Sequence, residues 1–297
     1  MSSKPSSGAR PKLACEVTAD RVLAGRVSDR GNVVECASYD LRAGCVVPDL
    51  TESNIHDRTT VFQTIRDALD SVAGRSRDVI AILPDAAVRV VLLEFETLPT
   101  NRQEAEAVVR FRLKKSLPFD VEKAKVSYHA HSANGTLRVV AAVALTSVLQ
   151  EYEAVFRSAG YAPGVVMPSM LAALGAAEAE RPTLVVKVDD LTTSIAILDQ
   201  NQVLLFRTLE NTRGVALTGE KLAEEVYPSV VFFQDTYHLN IARIFVAGLP
   251  ATGEAGPALR AQTGAEVKEL VGALQMDDSA GSIPRWRMAG IMGALGS

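Results

Sequence analysis

Thr183-Leu-Val-Val-Lys-Val-Asp-Asp-Leu-Thr-Thr-Ser-Ile-Ala-Ile-Leu-Asp-Gln-Asn-Gln-Val-Leu-Leu-Phe-Arg-Thr-Leu209 holds three β-type runs, 183–189, 193–199 and 202–209, parted by Asp189-Asp190-Leu191 and Asp199-Gln200-Asn201. Short runs of branched and apolar residues broken by turn-forming residues read as a three-stranded meander. A helix follows from about Thr218. The same order opens the chain: runs at 12–18, 21–27 and 32–39, with turns at Ala19-Asp20 and Asp29-Arg30-Gly31-Asn32, then a helix over 58–73 that places Val61, Ile65, Leu69 and Val72 on one face. Meander then helix, twice, predicts an α/β chain of two related lobes facing a cleft. Sequence identity between the copies is low, so the repeat is one of architecture.

Working outward, the first copy carries extra material. A strand is expected at 78–83, an extended run at 87–96, and a helix at about 101–116 opened by the capping-box pattern Thr100-x-x-Gln103. Strands at 124–131 and 136–145 flank the turn Ala133-Asn134-Gly135, and a helix from 146 puts Leu149, Tyr152 and Phe156 on one face. After the second meander come a strand at 243–247, a helix near 256–263, a strand at 267–271 and a final helix at about 285–295. These readings divide the chain into a loose tail (1–11), a first lobe (12–180) with an insertion at about 84–160, and a second lobe (181–297).

Composition limits the function. In 297 residues, 47% are hydrophobic and 22% charged, ordinary for a packed globular chain. A net charge of −4 gives no basic field for nucleic acid. Three cysteines without Cys-x-x-Cys spacing indicate neither a disulfide framework nor a zinc site, and suit a reducing compartment. The opening segment lacks the apolar stretch of a signal peptide, and no apolar run approaches the ~20 residues that span a bilayer. A membrane would be reached only through a partner.

Familiar catalytic motifs are lacking. Gly214-x-x-x-x-Gly219-Glu-Lys221 is not a P-loop, because Glu220 interrupts Gly-Lys and Leu222 replaces the metal-binding hydroxyl. His129-x-His131 sets two imidazoles on one strand face without a carboxylate or thiolate at ligand spacing, and reads as an exposed strand face. There is no Gly-x-Ser-x-Gly elbow. Neither a catalytic residue nor a metal ligand is assigned.

The most specific stretch is Ile80-Ala-Ile-Leu-Pro-Asp85, then Leu98-Pro99, then a helix ending in Lys114-Lys-Ser-Leu-Pro-Phe-Asp120. With Gly160-Tyr-Ala-Pro-Gly-Val-Val-Met-Pro168, Leu191-Thr-Thr-Ser-Ile-Ala-Ile197 and Arg287-Met-Ala-Gly-Ile-Met-Gly-Ala294, it resembles the PilM family of type IV pilus assembly proteins from Leu13 onward. The resemblance implies an actin-like fold of the ribonuclease H-like (ASKHA) class with an FtsA-like inserted subdomain. It also implies a cytoplasmic scaffold peripheral to the inner membrane, which holds the cytoplasmic tail of PilN and contacts the pilus assembly ATPase. The cytoplasmic part of the type II secretion L protein is similar, so sequence does not separate pilus from secretion machinery.

Actin-like ATPases hold nucleotide on two hairpin loops, where glycines admit the phosphates and acids orient metal and water. Here Glu16 stands at the first acid and Thr18 at the glycine, where a β-branched side chain crowds the approach. In the second loop Lys187 replaces the acid and Asp189 the glycine, and the adenosine-side Gly-Gly is Gly248-Leu249. These departures favour lost or weak nucleotide binding and disfavour hydrolysis. ATP with magnesium, if retained, would use Thr18, Asp20, Asp190, Thr192, Thr193 and Gly248. Asp189-Asp190 also reads as a polar turn, and whether Lys187 pairs with Asp189 or with Asp190 is open at this level. The rival reading is a nucleotide-switched actin-like ATPase or sugar-kinase relative.

Arg110, Arg112, Lys114 and Lys115 close the helix before Leu117-Pro118-Phe119. They suit the negative end of the helix dipole. They also mark a docking edge, with Leu117, Pro118 and Phe119 as the partner-binding residues and Phe119 as the anchor. A partner tail could lie in a groove or add a strand.

Overall fold

The computed structural model describes residues 10–28, 33–133, 135–212, 217–272 and 283–296. The first half runs β1 (Leu13–Val17), β2 (Arg21–Val27), β3 (Val33–Asp40), α1 (Arg58–Val72) and β4 (Asp78–Leu83), then β5 (Arg89–Phe95), α2 (Arg102–Leu113), β6 (Ala124–Ala133) and β7 (Thr136–Leu145), and closes with α3 (Thr146–Ser158), β8 (Ala162–Pro168) and α4 (Ser169–Leu174). The second half runs β9 (Thr183–Val188), β10 (Thr192–Asp199), β11 (Gln202–Glu210), α5 (Gly219–Tyr237), β12 (Arg243–Ala247), α6 (Ala255–Thr263), β13 (Glu266–Glu269) and α7 (Ala289–Gly296).

The duplication is visible in the sheet order. The first sheet is β3-β2-β1-β4-β8 and the second β11-β10-β9-β12-β13. In each, an antiparallel meander is extended by two parallel strands, the first of them beside the meander's opening strand. Parallel strands covered on both faces are apolar throughout, and every residue of β1 and β9 is buried. The two charged residues in these strands, Glu16 and Lys187, are buried with them.

Helices cover the outer faces. Asp57 caps α1 by accepting a hydrogen bond from Thr60 N, and Val61, Ile65, Leu69 and Val72 turn inward with α3 against the first sheet. The inner faces of both sheets share a central core with α4 and α7: Ala14 and Ile80 from one side, Val185 and Ala196 from the other. The last helix therefore differs from its assignment to the second lobe. Its start is a 3-10 turn at 285–287, and α7 packs on α4, β1 and β2.

β5, β7 and β6 form a separate antiparallel sheet, one face of which takes Val109 and Leu113 of α2 into a core with Val139, Ala141 and Val143. This excursion is narrower than 84–160, because α3 packs on α1 and the first sheet. The α2 cap is Asn101, not Thr100: its side chain accepts from Gln103 N and Glu104 N. Strand β8, unexpected from sequence, pairs with β4. Asn134, the turn at 29–32 and Gly214 lie outside the described residues.

Candidate functional site: the cleft between the lobes

The loops after β1 and β9 face each other across a cleft of about 760 Å³, lined also by Leu41, Val46, Gly248, Leu249 and Trp286. The duplicated hairpins bring the expected residues together: Thr18, Asp20, Asp190, Thr192 and Gly248 all line it. Thr193 points elsewhere; it is fully buried and donates to Asn211 Oδ1 at 2.8 Å.

At the cleft floor the Lys187 ammonium lies 2.7 and 2.6 Å from the two carboxylate oxygens of Asp189 and 3.8 Å from Glu16 Oε1. The pairing left open between Asp189 and Asp190 thus falls to Asp189. Burial disfavours the charged ammonium, but Asp189, Glu16 and Asp85 outweigh it and hold Lys187 above the ordinary lysine range. Glu16 responds oppositely. Burial dominates, Lys187 resists it, and Asp189 adds repulsion, so the carboxyl is pushed from an ordinary 4.5 up to about 7.

Both buried carboxyls sit at helix starts, where backbone N–H groups lack helical partners and the dipole favours negative charge. Asp85 Oδ1 accepts from Met170 N at 2.8 Å, in the first turn of α4. Its Oδ2 accepts from Ser194 Oγ of β10 at 2.9 Å, so one side chain joins the lobes. Burial, partly opposed by Lys187, raises the Asp85 carboxyl above its ordinary range. Glu16 Oε1 accepts from Ser169 Oγ. The absent side chain of Gly290 lets α7 begin against Glu16: a Cβ there would stand 2.5 Å from Oε2.

Each phosphate-side loop is closed on itself. Thr18 N donates to Arg21 O at 2.9 Å, and Thr18 Oγ1 donates to Asp20 Oδ1 at 2.7 Å. Arg21 forms an ion pair with Asp20. Although burial disfavours its charge, hydrogen bonds from Arg21 and Thr18 hold the Asp20 carboxyl below its usual range. In the second loop Asp189 N donates to Thr192 O at 2.8 Å and Asn211 Nδ2 to Asp189 O at 2.8 Å. Burial and the nearby Asp20 raise Asp190, with Arg21 opposing. Gly248, at φ +80°, donates its N–H to Trp286 O at 2.7 Å, and a Cβ there would lie 1.8 Å from Val188 O. Its close approach serves the protein's own backbone.

A phosphate chain would meet the carboxyls of Asp20 and Asp190 here, the one buried cation, Lys187, is already held by Asp189, and the N–H groups of Thr18, Asp189 and Gly248 already donate to backbone carbonyls. The site fits nucleotide poorly. Among the described residues no group of three His, Cys, Asp or Glu could hold a metal ion; His129 and His131 stack with ring centroids 6.4 Å apart.

The docking edge is also resolved. Leu117 and Phe119 are half-buried against the insert's own core, and Pro118 is exposed. The aromatic ring that stands out is Phe111 on α2, 69% exposed and six residues before Leu117. Its outward position follows from the α2 periodicity, in which Ala105, Val109 and Leu113 face inward.

No family model matches the sequence. No curated protein matches it either. Among solved structures, the chain is similar to a PilM–PilN type IV pilus biogenesis complex at 17% identity, over 97% of this chain and 98% of that one, with a TM-score of 0.81. It is similar to the cytoplasmic domain of EpsL, an inner membrane component of the type II secretion system of Vibrio cholerae, at 12% identity over 96% and 94% of the chains, TM-score 0.54. The ethanolamine utilization protein EutJ from Carboxydothermus hydrogenoformans follows at 12%, over 99% and 91%, TM-score 0.51. With its two β3-β2-β1-β4-β8-type sheets and its inserted three-stranded sheet, the chain has an actin-like fold that is similar to the PilM fold over 97% of its length.

Proposed function

We propose that this chain is a scaffold of type IV pilus, or related type II secretion, assembly that holds the cytoplasmic tail of a PilN-like inner-membrane partner, and that it works without nucleotide. The full-length likeness to a PilM–PilN complex supports the assembly role. The observation that carries the nucleotide-free reading is the Lys187 ammonium, which supplies a fixed cation among Asp189, Glu16 and Asp85 at the cleft floor. A covalently attached cation needs no recruitment and leaves no turnover step.

Among the described residues no helix is long and apolar enough to cross a membrane, so in this reading the partner supplies the inner-membrane position and the scaffold stays peripheral on its cytoplasmic side. Contact with the pilus assembly ATPase belongs to the same proposal. The test is a titration of the purified chain with synthetic cytoplasmic tails of the inner-membrane proteins encoded beside it. Saturable binding at micromolar concentration is expected; failure of every such peptide to bind would remove the partner assignment.

A further inference from the structure

Among the described residues, Phe111 on α2 is the most exposed large apolar side chain, at 69%. Ala107 and Val108 share its side of the helix at spacings of four and three residues. Residues 110–115 hold four basic side chains and no acid, in a chain of net charge −4. Arg110 turns inward, donating Nε to Glu106 Oε1 and Nη1 to the Val121 carbonyl, each at 2.9 Å. Arg112, Lys114 and Lys115 stay exposed beside the ring. The Arg112 guanidinium lies 5.4 Å from the Phe95 ring centroid, and Lys114 pairs with Glu122 at 3.3 Å between side chains more than half exposed, which neutralises it only weakly. The acid on the same side of the helix, Glu104, stands seven residues before Phe111, near the start of α2.

The place of α2 in the fold limits what this face can meet. The helix covers the side of the insert sheet that carries Val139, Ala141 and Val143. Alternation along β7 sends Arg138 to the opposite side, where its Nη2 lies 3.2 Å from Tyr237 Oη at the end of α5. The sheet therefore separates α2 from the second lobe, and no residue of α2 lines the cleft. A ring projecting from the convex side of a surface helix suits a soft planar surface, whereas a small molecule or peptide is held in a concavity. α5 offers the contrast. Its exposed rings, Tyr227 and Phe232, stand three residues from Glu224 and Asp235, acids that an anionic surface repels.

We propose that the Phe111 end of α2 contacts an anionic lipid bilayer, with the ring entering the headgroup layer and Arg112, Lys114 and Lys115 set against lipid phosphates. Its setting rests on the reading of the chain as a scaffold beside the inner membrane; the contact itself rests on the ring and its cations. Each basic side chain within a Debye length of an anionic leaflet strengthens binding about fivefold. Three cations and one ring make a weak contact by themselves. A membrane partner's tail supplies the local concentration at which a weak contact is occupied. The lipid contact in turn fixes which side of the scaffold faces the bilayer.

Flotation of the full chain with vesicles, over about 0.1 to 5 mM lipid, tests this with no protein partner present, so failure of the tail assignment would leave its outcome unchanged. Vesicles of phosphatidylglycerol and phosphatidylethanolamine in equal parts should carry the chain upward at low salt. Phosphatidylcholine vesicles, or the anionic vesicles at high salt, should bind it at least about tenfold more weakly. Phe111→Ala should weaken binding about tenfold and Lys115→Gln about fivefold, at unchanged melting temperatures, while Phe232→Ala binds like the parent. Insertion is read separately with Phe111→Trp. Brominated lipid should quench part of its emission but none of the parent's, whose single tryptophan, Trp286, lines the cleft. A chain that floats with anionic and neutral vesicles alike, or with neither, overturns the proposal. So does a Phe111→Ala protein that floats like the parent, or a Phe111→Trp emission that brominated lipid leaves unchanged.

Discussion

Lys187 Nζ and Glu16 Oε1 stand 3.8 Å apart across the two halves of the fold, and each belongs to the penultimate residue of the first strand of its meander. Equivalent positions of the duplicated unit thus carry an acid and a base in a shared, nearly dry site. Low local dielectric strengthens their attraction and equally penalises either partner left alone.

Removing the cation should therefore cost more than removing the whole group. Lys187→Met leaves Asp189, Glu16 and Asp85 facing one another, with an expected loss of about 3 to 5 kcal/mol, read as a lower melting temperature. Adding Glu16→Gln and Asp189→Asn to Lys187→Met should recover part of that loss. A Lys187→Met protein that melts with the parent would rule out the charge cluster as an interlobe clamp.

The raised Glu16 carboxyl gives a pH dependence with a definite sign. The folded state keeps the proton to about pH 7, whereas the unfolded chain releases it near 4.5. This contribution is full below about 4.5 and is lost as pH rises through about 7, for a total of at most about 3 kcal/mol. Asp85, also raised by burial, acts in the same direction. Melting temperatures measured from pH 5 to 8 should fall in the parent and fall less in Glu16→Gln; equal slopes would contradict the assignment.

Gly248→Ala should destabilise by about 2 to 4 kcal/mol, since the residue at φ +80° would be strained and its Cβ would be driven into the Val188 carbonyl. Denaturant unfolding measures the loss. A neutral substitution would mean that the strand ends at the cleft separate readily.

Phe119 and Phe111 should part company when truncated. Phe119→Ala removes a ring packed against the insert core and is expected to lower stability by about 1 to 3 kcal/mol, while Phe111→Ala should stay within about 0.5 kcal/mol. Parallel melts of the two variants decide it.

The duplicated meanders were readable because their periods are local: apolar runs of five to nine residues with polar turns between them. β8 was not, since Pro163, Gly164 and Pro168 break its pattern and its pairing with β4 supplies the order. Nor could sequence bring α7 to the first lobe, because its fit depends on small residues meeting distant backbone, as where a Cβ on Gly293 would lie 2.0 Å from Ala172 O. At the site, the departures at Glu16, Thr18, Lys187 and Asp189 were plain in the chain. Asp85 was missed as a site residue, because its partners lie 85 and 109 residues away.

The direct test of the cleft is a calorimetric titration of the purified chain with ATP, with and without magnesium, at concentrations that resolve a dissociation constant of roughly 100 μM. With Lys187 held by Asp189 and the N–H groups of Thr18, Asp189 and Gly248 donating to backbone carbonyls, no saturable heat and no phosphate release are expected. Saturable, magnesium-dependent binding would show that the ion cluster opens for nucleotide, and would contradict the scaffold's independence from it.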